Sequence, residues 1–140
     1  MKVLLSIKPE FVEKIFAGTK KYEFRKSLFQ RRDIKHIVIY ASAPIKRVVG
    51  EFEIAEILSD DVDVIWEKTK RHSGISKEFY MSYFHHKGQA NAIRIGHVTK
   101  YNKPKSLSDF NIQHAPQSFR YLEGEDMHRG CYVSSALGKV

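Results

Sequence analysis

One cysteine, four prolines and no long apolar run leave this 140-residue chain without most devices of specialised protein classes. The lone Cys131 cannot close an internal disulfide, and without a CxxC partner it reads as an ordinary thiol. No stretch approaches the roughly 20 apolar residues of a membrane-spanning helix. The opening Met-Lys-Val-Leu-Leu-Ser-Ile, followed at once by Lys8 and Pro9, does not read as a secretory leader. The expectation is a cytoplasmic protein with no membrane partner. No repeat or low-complexity linker is present. None of the seven histidines forms an H-x-x-x-H pair, and adjacent His85 and His86 point to different sides of any regular element. No metal site and no cofactor are therefore expected. At this length one core suffices without cross-links, so a single domain over residues 1–140 is expected.

Acidic residues are scarce in one half only. Residues 1–50 hold twelve Lys/Arg against four Asp/Glu, whereas residues 51–140 balance twelve with twelve, so the net charge of +8 lies wholly in the first fifty. A one-sided basic field concentrates polyanions on one face. That asymmetry favours a nucleic-acid partner over a generally solvated basic surface.

Hydrophobic periodicity predicts more strand than helix. Val3, Leu5 and Ile7 alternate as in a half-buried strand. Pro9 pre-sets a first helical turn, Glu10 suits its positive end, and Phe11, Val12, Ile15 and Phe16 share one face up to Gly18, a residue able to take the left-handed cap. The period then becomes two, with Tyr22 and Phe24 on one face and Lys21, Glu23 and Arg25 on the other; Lys20 belongs to the turn. Residues 28–33 read as a basic loop holding Arg31 and Arg32. Residues 34–43 and 46–58 are expected strands parted by Pro44, with Gly50 a bulge or a point of close approach. Ser59-Asp60-Asp61 can cap a short helix presenting Val62, Ile65 and Trp66 to the core, and Ser73-Gly74 precedes a second helix over about 76–86. There Phe79, Tyr80, Tyr83 and Phe84 fit core packing better than an exposed platform for bases. Residues 90–98 alternate again, and short strands are expected near 100–107 and 117–122. The sum is an α+β, mainly β, fold: a small closed or nearly closed barrel with short helices at its ends.

The segment Gly18-Thr19-Lys20-Lys21-Tyr22-Glu23-Phe24-Arg25 spaces two cations and a carboxylate as G-x-K-x-x-E-x-R where helix hands over to strand. Arg supplies a rigid donor fork and Glu a paired acceptor, a set that can hold a phosphate or a base edge. This motif is accompanied, in the same order, by Leu4-Leu5-Ser6-Ile7-Lys8-Pro9, Tyr40-Ala41-Ser42-Ala43-Pro44, Val48-Val49-Gly50-Glu51-Phe52 and Pro116-Gln117-Ser118-Phe119. Together they resemble the ASCH family, small RNA-associated domains with a PUA-like β-barrel, over nearly the whole chain and in its stand-alone bacterial or archaeal form. The resemblance implies a cleft between first helix and barrel, lined by Lys20, Glu23 and Arg25. Lys21, Arg31 and Arg32 would extend it as a basic nucleic-acid surface. Family members are RNA-binding coactivator modules, ribonucleases, or amidohydrolases on acetylated cytidine. The last branch carries a presumed nucleophilic threonine at the position of Glu23, and Thr19 lies outside that position, which sets this reading behind the others.

Tyr40 and Lys46 bracket a turn, and Ser118 follows the Pro116-Gln117 step that such a domain returns to the barrel mouth. A tyrosine, a lysine and a serine converging on a phosphate can cleave RNA without metal, because lysine lowers the pKa of a nearby hydroxyl and stabilises a pentacovalent phosphate. The RNA 2′-hydroxyl would attack. Tyr40 can equally be a strand residue with its ring in the core. The expected function is RNA binding, on single-stranded RNA, with metal-independent cleavage left open; a non-catalytic reader of a modified nucleobase or nucleoside is the alternative. Oligomeric state is not fixed by any of these features.

Overall fold

In the computed structural model, which describes residues 1–123, the alternating segments become six strands. They are β1 (Lys2–Ile7), β2 (Tyr22–Arg25), β3 (His36–Ala41), β4 (Arg47–Asp61), β5 (Gln89–Lys105) and β6 (Phe119–Leu122). Helix α1 (Pro9–Ala17) joins β1 to β2, while α2 (Val62–Thr69) and α3 (Lys77–Tyr83) lie between β4 and β5. Cys131 falls outside the described residues.

All strands belong to one sheet of order β2-β5-β4-β3-β1-β6. The β1–β3 pair is parallel and the others antiparallel. The expected mainly β fold with short helices is present, and of the closed or nearly closed barrel the full closure does not occur: β2 and β6 remain edges. Each has only four residues, so little ladder is available to share. Side chains span the gap instead. Arg25 Nη2 donates to the Ser118 carbonyl at 2.7 Å, Tyr121 Oη accepts from the backbone N–H groups of Gln30 and Arg31, and Phe29 meets Phe119 edge-on.

Both sheet faces are covered, which is why β3 reads as a continuous apolar run. Ile37, Ile39 and Ala41 pack with Val3, Leu5, Ile7 and with Val12 and Ile15 of α1. Val38 and Tyr40, pointing the other way, pack with Leu4, Val48, Phe110, Ile112 and Leu122. A third cluster sets Ile65 and Trp66 of α2 and Tyr80 and Phe84 against Phe24, Ala90 and Ala92.

Three local expectations change. The two strands expected at 90–98 and 100–107 are one strand, β5, whose pairing with β4 shifts register at three points; those irregularities interrupt the two-residue pattern. Ser59, Asp60 and Asp61 end β4, and the side chain of Asp61 caps nothing; the Val62 N–H finds the Gly88 carbonyl at 3.2 Å instead. Helix α3 stops at Tyr83 after a genuine cap, the Ser76 hydroxyl accepting from Phe79 N–H. Among the described residues no helix is long and apolar enough to cross a membrane.

Gly50 is a point of close approach. A Cβ there would lie 2.5 Å from the Thr99 carbonyl oxygen and 2.9 Å from Phe16 Cζ. Gly50→Ala is expected to lower the unfolding free energy by about 1–3 kcal/mol. Urea denaturation measures this, and an unchanged midpoint would contradict the close β4–β5 approach.

Candidate functional site

The chain leaves α1 through Gly18 at φ 83°, and the N–H groups of Thr19 and Lys20 both fold back onto the Lys14 carbonyl at 3.0 and 3.1 Å. This reversal turns Lys20 inward, to 2% exposure. Its aliphatic stem lies against Gly74 (φ 72°), where an added Cβ would come within 2.5 Å of Lys20 Cβ. The ammonium donates to the Ser73 carbonyl at 2.8 Å and sits 5.2 Å from the Phe11 ring centroid and 4.9 Å from that of Phe24. Burial lowers its pKa from 10.5 to about 8, an effect opposed by Glu23 and reinforced by Lys14.

Glu23 and Arg25 project from the same face of β2. Glu23 is buried, and its Oε2 accepts from Arg25 Nη1 at 3.3 Å. The other end of the guanidinium holds the Ser118 carbonyl. Lys20, Glu23 and Arg25 thus converge on one cavity of about 180 Å³, although strand parity alone would separate Lys20 from the pair. Ser6 and Ile7 of β1, Lys8, and Phe11 of α1 form one wall; Ile75, Phe79 and Tyr83 form another. Phe79 stands edge-on to Phe11 and nearly parallel to Tyr83, their planes 9° apart. Lys8 lies over the Phe79 ring and Lys26 over that of Tyr83. Burial raises the Tyr83 hydroxyl pKa, with Arg25 opposing.

The aromatics at 79, 80, 83 and 84, the last just past the end of α3, therefore divide. Tyr80 and Phe84 form core, as expected for all four, whereas Phe79 and Tyr83 line the cavity. The pairs 79/83 and 80/84 are separate i,i+4 stripes, turned about 100° apart on a helix of 3.6 residues per turn. With Phe11 and the Ser73-Gly74 step they are the site residues that the sequence reading missed; the only signal for Gly74 was its place between two helices.

Other expected contacts lie elsewhere. Lys21 is exposed and joins the structure by its backbone N–H to the His72 carbonyl; Arg31 pairs with exposed Asp33 at 2.9 Å, and Arg32 is exposed. None of the three lines the cavity. Tyr40, Lys46 and Ser118 are also absent from its wall. Tyr40 has its ring in the second core cluster because it alternates with Ile39 along β3. Lys46 is an exposed turn residue at φ 54° whose carbonyl accepts from Arg47. Ser118 is half-buried. The register nevertheless sets Tyr40 beside Ser6, whose hydroxyl donates to the Pro116 carbonyl at 2.9 Å, so Tyr40 and the 116–118 segment flank the same end of β1. Among the described residues no group of three or more His, Cys, Asp or Glu is placed to hold a metal ion.

These features define a mainly β domain with a cavity organised by a lysine, a glutamate and an arginine. The model of the ASCH domain matches residues 5–99, and the chain belongs to the ASCH family. The ASCH domain-containing ribonuclease of Zymomonas mobilis is 32% identical over 138 residues, covering 96% of this chain and 93% of that protein. The crystal structure of ASCH from Zymomonas mobilis is similar at TM-score 0.84 and 27% identity, over 91% of this chain and 92% of that one. It has also been solved with a tyrosine changed to phenylalanine and with a serine changed to alanine. In Ureaplasma parvum, proteins named ATP synthase subunit alpha and large ribosomal subunit protein uL22 are 32% and 29% identical over 86% of this chain, which spans 15% and 39% of their respective lengths.

The buried Lys20 predicts a pH effect of definite sign. In the fold it loses its proton near pH 8, while unfolded it keeps it to about 10.5, so over that interval the unfolded chain binds more protons and this group's contribution to stability rises with pH. Wild type should therefore gain on Lys20→Met as pH rises through this window in urea denaturation. A constant difference would contradict the burial.

Proposed function

We propose that this ASCH domain binds single-stranded RNA at the Lys20–Glu23–Arg25 cavity and cleaves it without a metal ion. The observation that carries the binding is a buried carboxylate flanked by two cations in a cavity with aromatic walls. Such a site offers stacking for a base and directed hydrogen bonds for its edge. The basic first fifty residues supply the field that attracts the phosphates. Lys21, Arg31 and Arg32 act as outlying phosphate contacts, apart from base recognition. Intracellular RNA as partner agrees with a cytoplasmic location.

Cleavage is assigned to Tyr40, Lys46 and Ser118 at the neighbouring end of β1. Support comes from the family relative named a ribonuclease, and from the tyrosine and serine variants studied in the Zymomonas protein. Lys46 would neutralise the phosphate while the hydroxyls take the proton of the attacking 2′-hydroxyl and return one to the 5′-oxygen as its bond to phosphorus breaks. The alternative, a non-catalytic reader of a modified nucleobase, is favoured by one observation: the Tyr40 ring is committed to the core.

Two outcomes follow. Affinity for RNA should fall steeply with salt, each neutralised single-strand phosphate adding about 0.7 to the magnitude of the log–log slope; affinity flat from low to physiological salt would rule this out. Labelled single-stranded RNA should be cut in EDTA, with Lys46→Ala, Tyr40→Phe and Ser118→Ala each slowing the reaction. Cleavage abolished by EDTA, or unchanged in all three variants, would overturn the catalytic assignment, and binding without products would favour the reader.

A further inference from the structure

The cavity gathers one carboxylate and two cations. Glu23 interacts with both cations: Arg25 pairs with its Oε2, and its charge supports the ammonium of Lys20. Among the described residues Glu23 makes no other hydrogen bond, and no fully buried side-chain oxygen lacks a partner, so Oε1 is the carboxylate atom open to the cavity. Lys20 has committed one N–H to Ser73, and Arg25 one to Glu23 and one to Ser118, which leaves donors on both cations. The cavity thus offers one open carboxylate oxygen together with donors from two cations.

A ring edge that gives its one N–H to the carboxylate and a carbonyl to each cation reads acceptor, donor, acceptor. Among the four RNA bases only uracil has it, as O4, N3–H and O2. Cytosine shows a donor followed by two acceptors, adenine has no carbonyl, and guanine sets two adjacent donors beside one carbonyl. Size points the same way: about 180 Å³ is below the roughly 300–1,000 Å³ of pockets for drug-sized ligands, and suits one pyrimidine ring. Phe79 and Tyr83 supply an aromatic wall, and Lys8 and Lys26 stand over their rings.

We infer that the cavity selects the imide edge of an unpaired uridine, an inference that rests on the RNA-binding reading above. The discrimination comes from Glu23. A carboxylate only accepts and the two cations only donate, so uracil gives Glu23 its one N–H and each cation a carbonyl. Cytosine and adenine turn an amino group at the end of the edge to Glu23 and leave one cation without an acceptor, and guanine sets a second donor against a cation.

Fluorescence anisotropy at fixed salt, with labelled oligouridine, oligocytidine, oligoadenosine and oligo-N3-methyluridine of equal length, tests this directly. Oligouridine should bind about tenfold or more tightly than the rest, and N3-methylation should remove the advantage. Glu23→Gln should bring uridine and cytidine oligomers close together, whereas Lys8→Ala should weaken all oligomers alike. If Glu23→Gln does not fold, as circular dichroism would reveal, the N3-methyl comparison decides alone on the wild-type protein. Equal or tighter binding of oligocytidine or oligo-N3-methyluridine would overturn the inference while leaving RNA binding intact. Absence of binding by every oligomer would overturn the RNA-binding reading and the inference with it.

Discussion

Lys20 carries a charge into the interior, where removing an ammonium ion from water costs on the order of several kcal/mol even after relaxation, and the surrounding elements are arranged to offset that cost. Gly18 makes the reversal that aims the side chain inward, Gly74 leaves room for its stem, and the Ser73 carbonyl receives its N–H. Two aromatic rings and the Glu23 carboxylate supply the remaining favourable electrostatics. The segment 72–74 is pinned to the α1 end by three bonds: Lys21 N–H to His72, Lys20 to Ser73 and Lys14 Nζ to Gly74. The cavity wall contributed by α3 is thereby set by how one lysine is housed.

Arg25 performs the corresponding task at the sheet's open side. Because β2 and β6 do not pair, the guanidinium bridges them, with Glu23 on one side and the Ser118 carbonyl on the other. The same residue thus borders the cavity and fixes the 116–118 segment. A ligand drawing on Arg25 would act on both, which would couple the proposed base recognition to the end of β1 where Tyr40 and Ser118 lie. A fully laddered barrel would make that coupling impossible to localise in one side chain.

Much of this was legible in the residues. The helix over Pro9–Ala17 with its glycine stop, the β3 run and the need for glycine at position 50 follow from local patterns that packing reinforces. The charged trio was legible as a motif, but its convergence was not, because Lys20 reaches the cavity through a backbone reversal that strand parity does not encode. Barrel closure failed for a related reason: edge pairing depends on strand length, and periodicity sets face, not partner. Phe79 and Tyr83 were hidden by neighbours of the same kind, since Tyr80 and Phe84 beside them satisfy the core. Charge density marks Arg31 and Arg32 as basic surface but does not encode where their side chains lie relative to the cavity.

The central claim is that the ligand enters the cavity organised by Lys20, Glu23 and Arg25 and does not merely rest on the basic surface. Backbone and side-chain chemical shifts recorded during titration with single-stranded RNA test it most directly. The largest perturbations should fall on residues 20–25, on Ser73 and Gly74, and on the rings of Phe79 and Tyr83, with small uniform changes at Arg31 and Arg32. Perturbations concentrated on the 28–33 loop, with Lys20 and Phe79 unmoved, would contradict it.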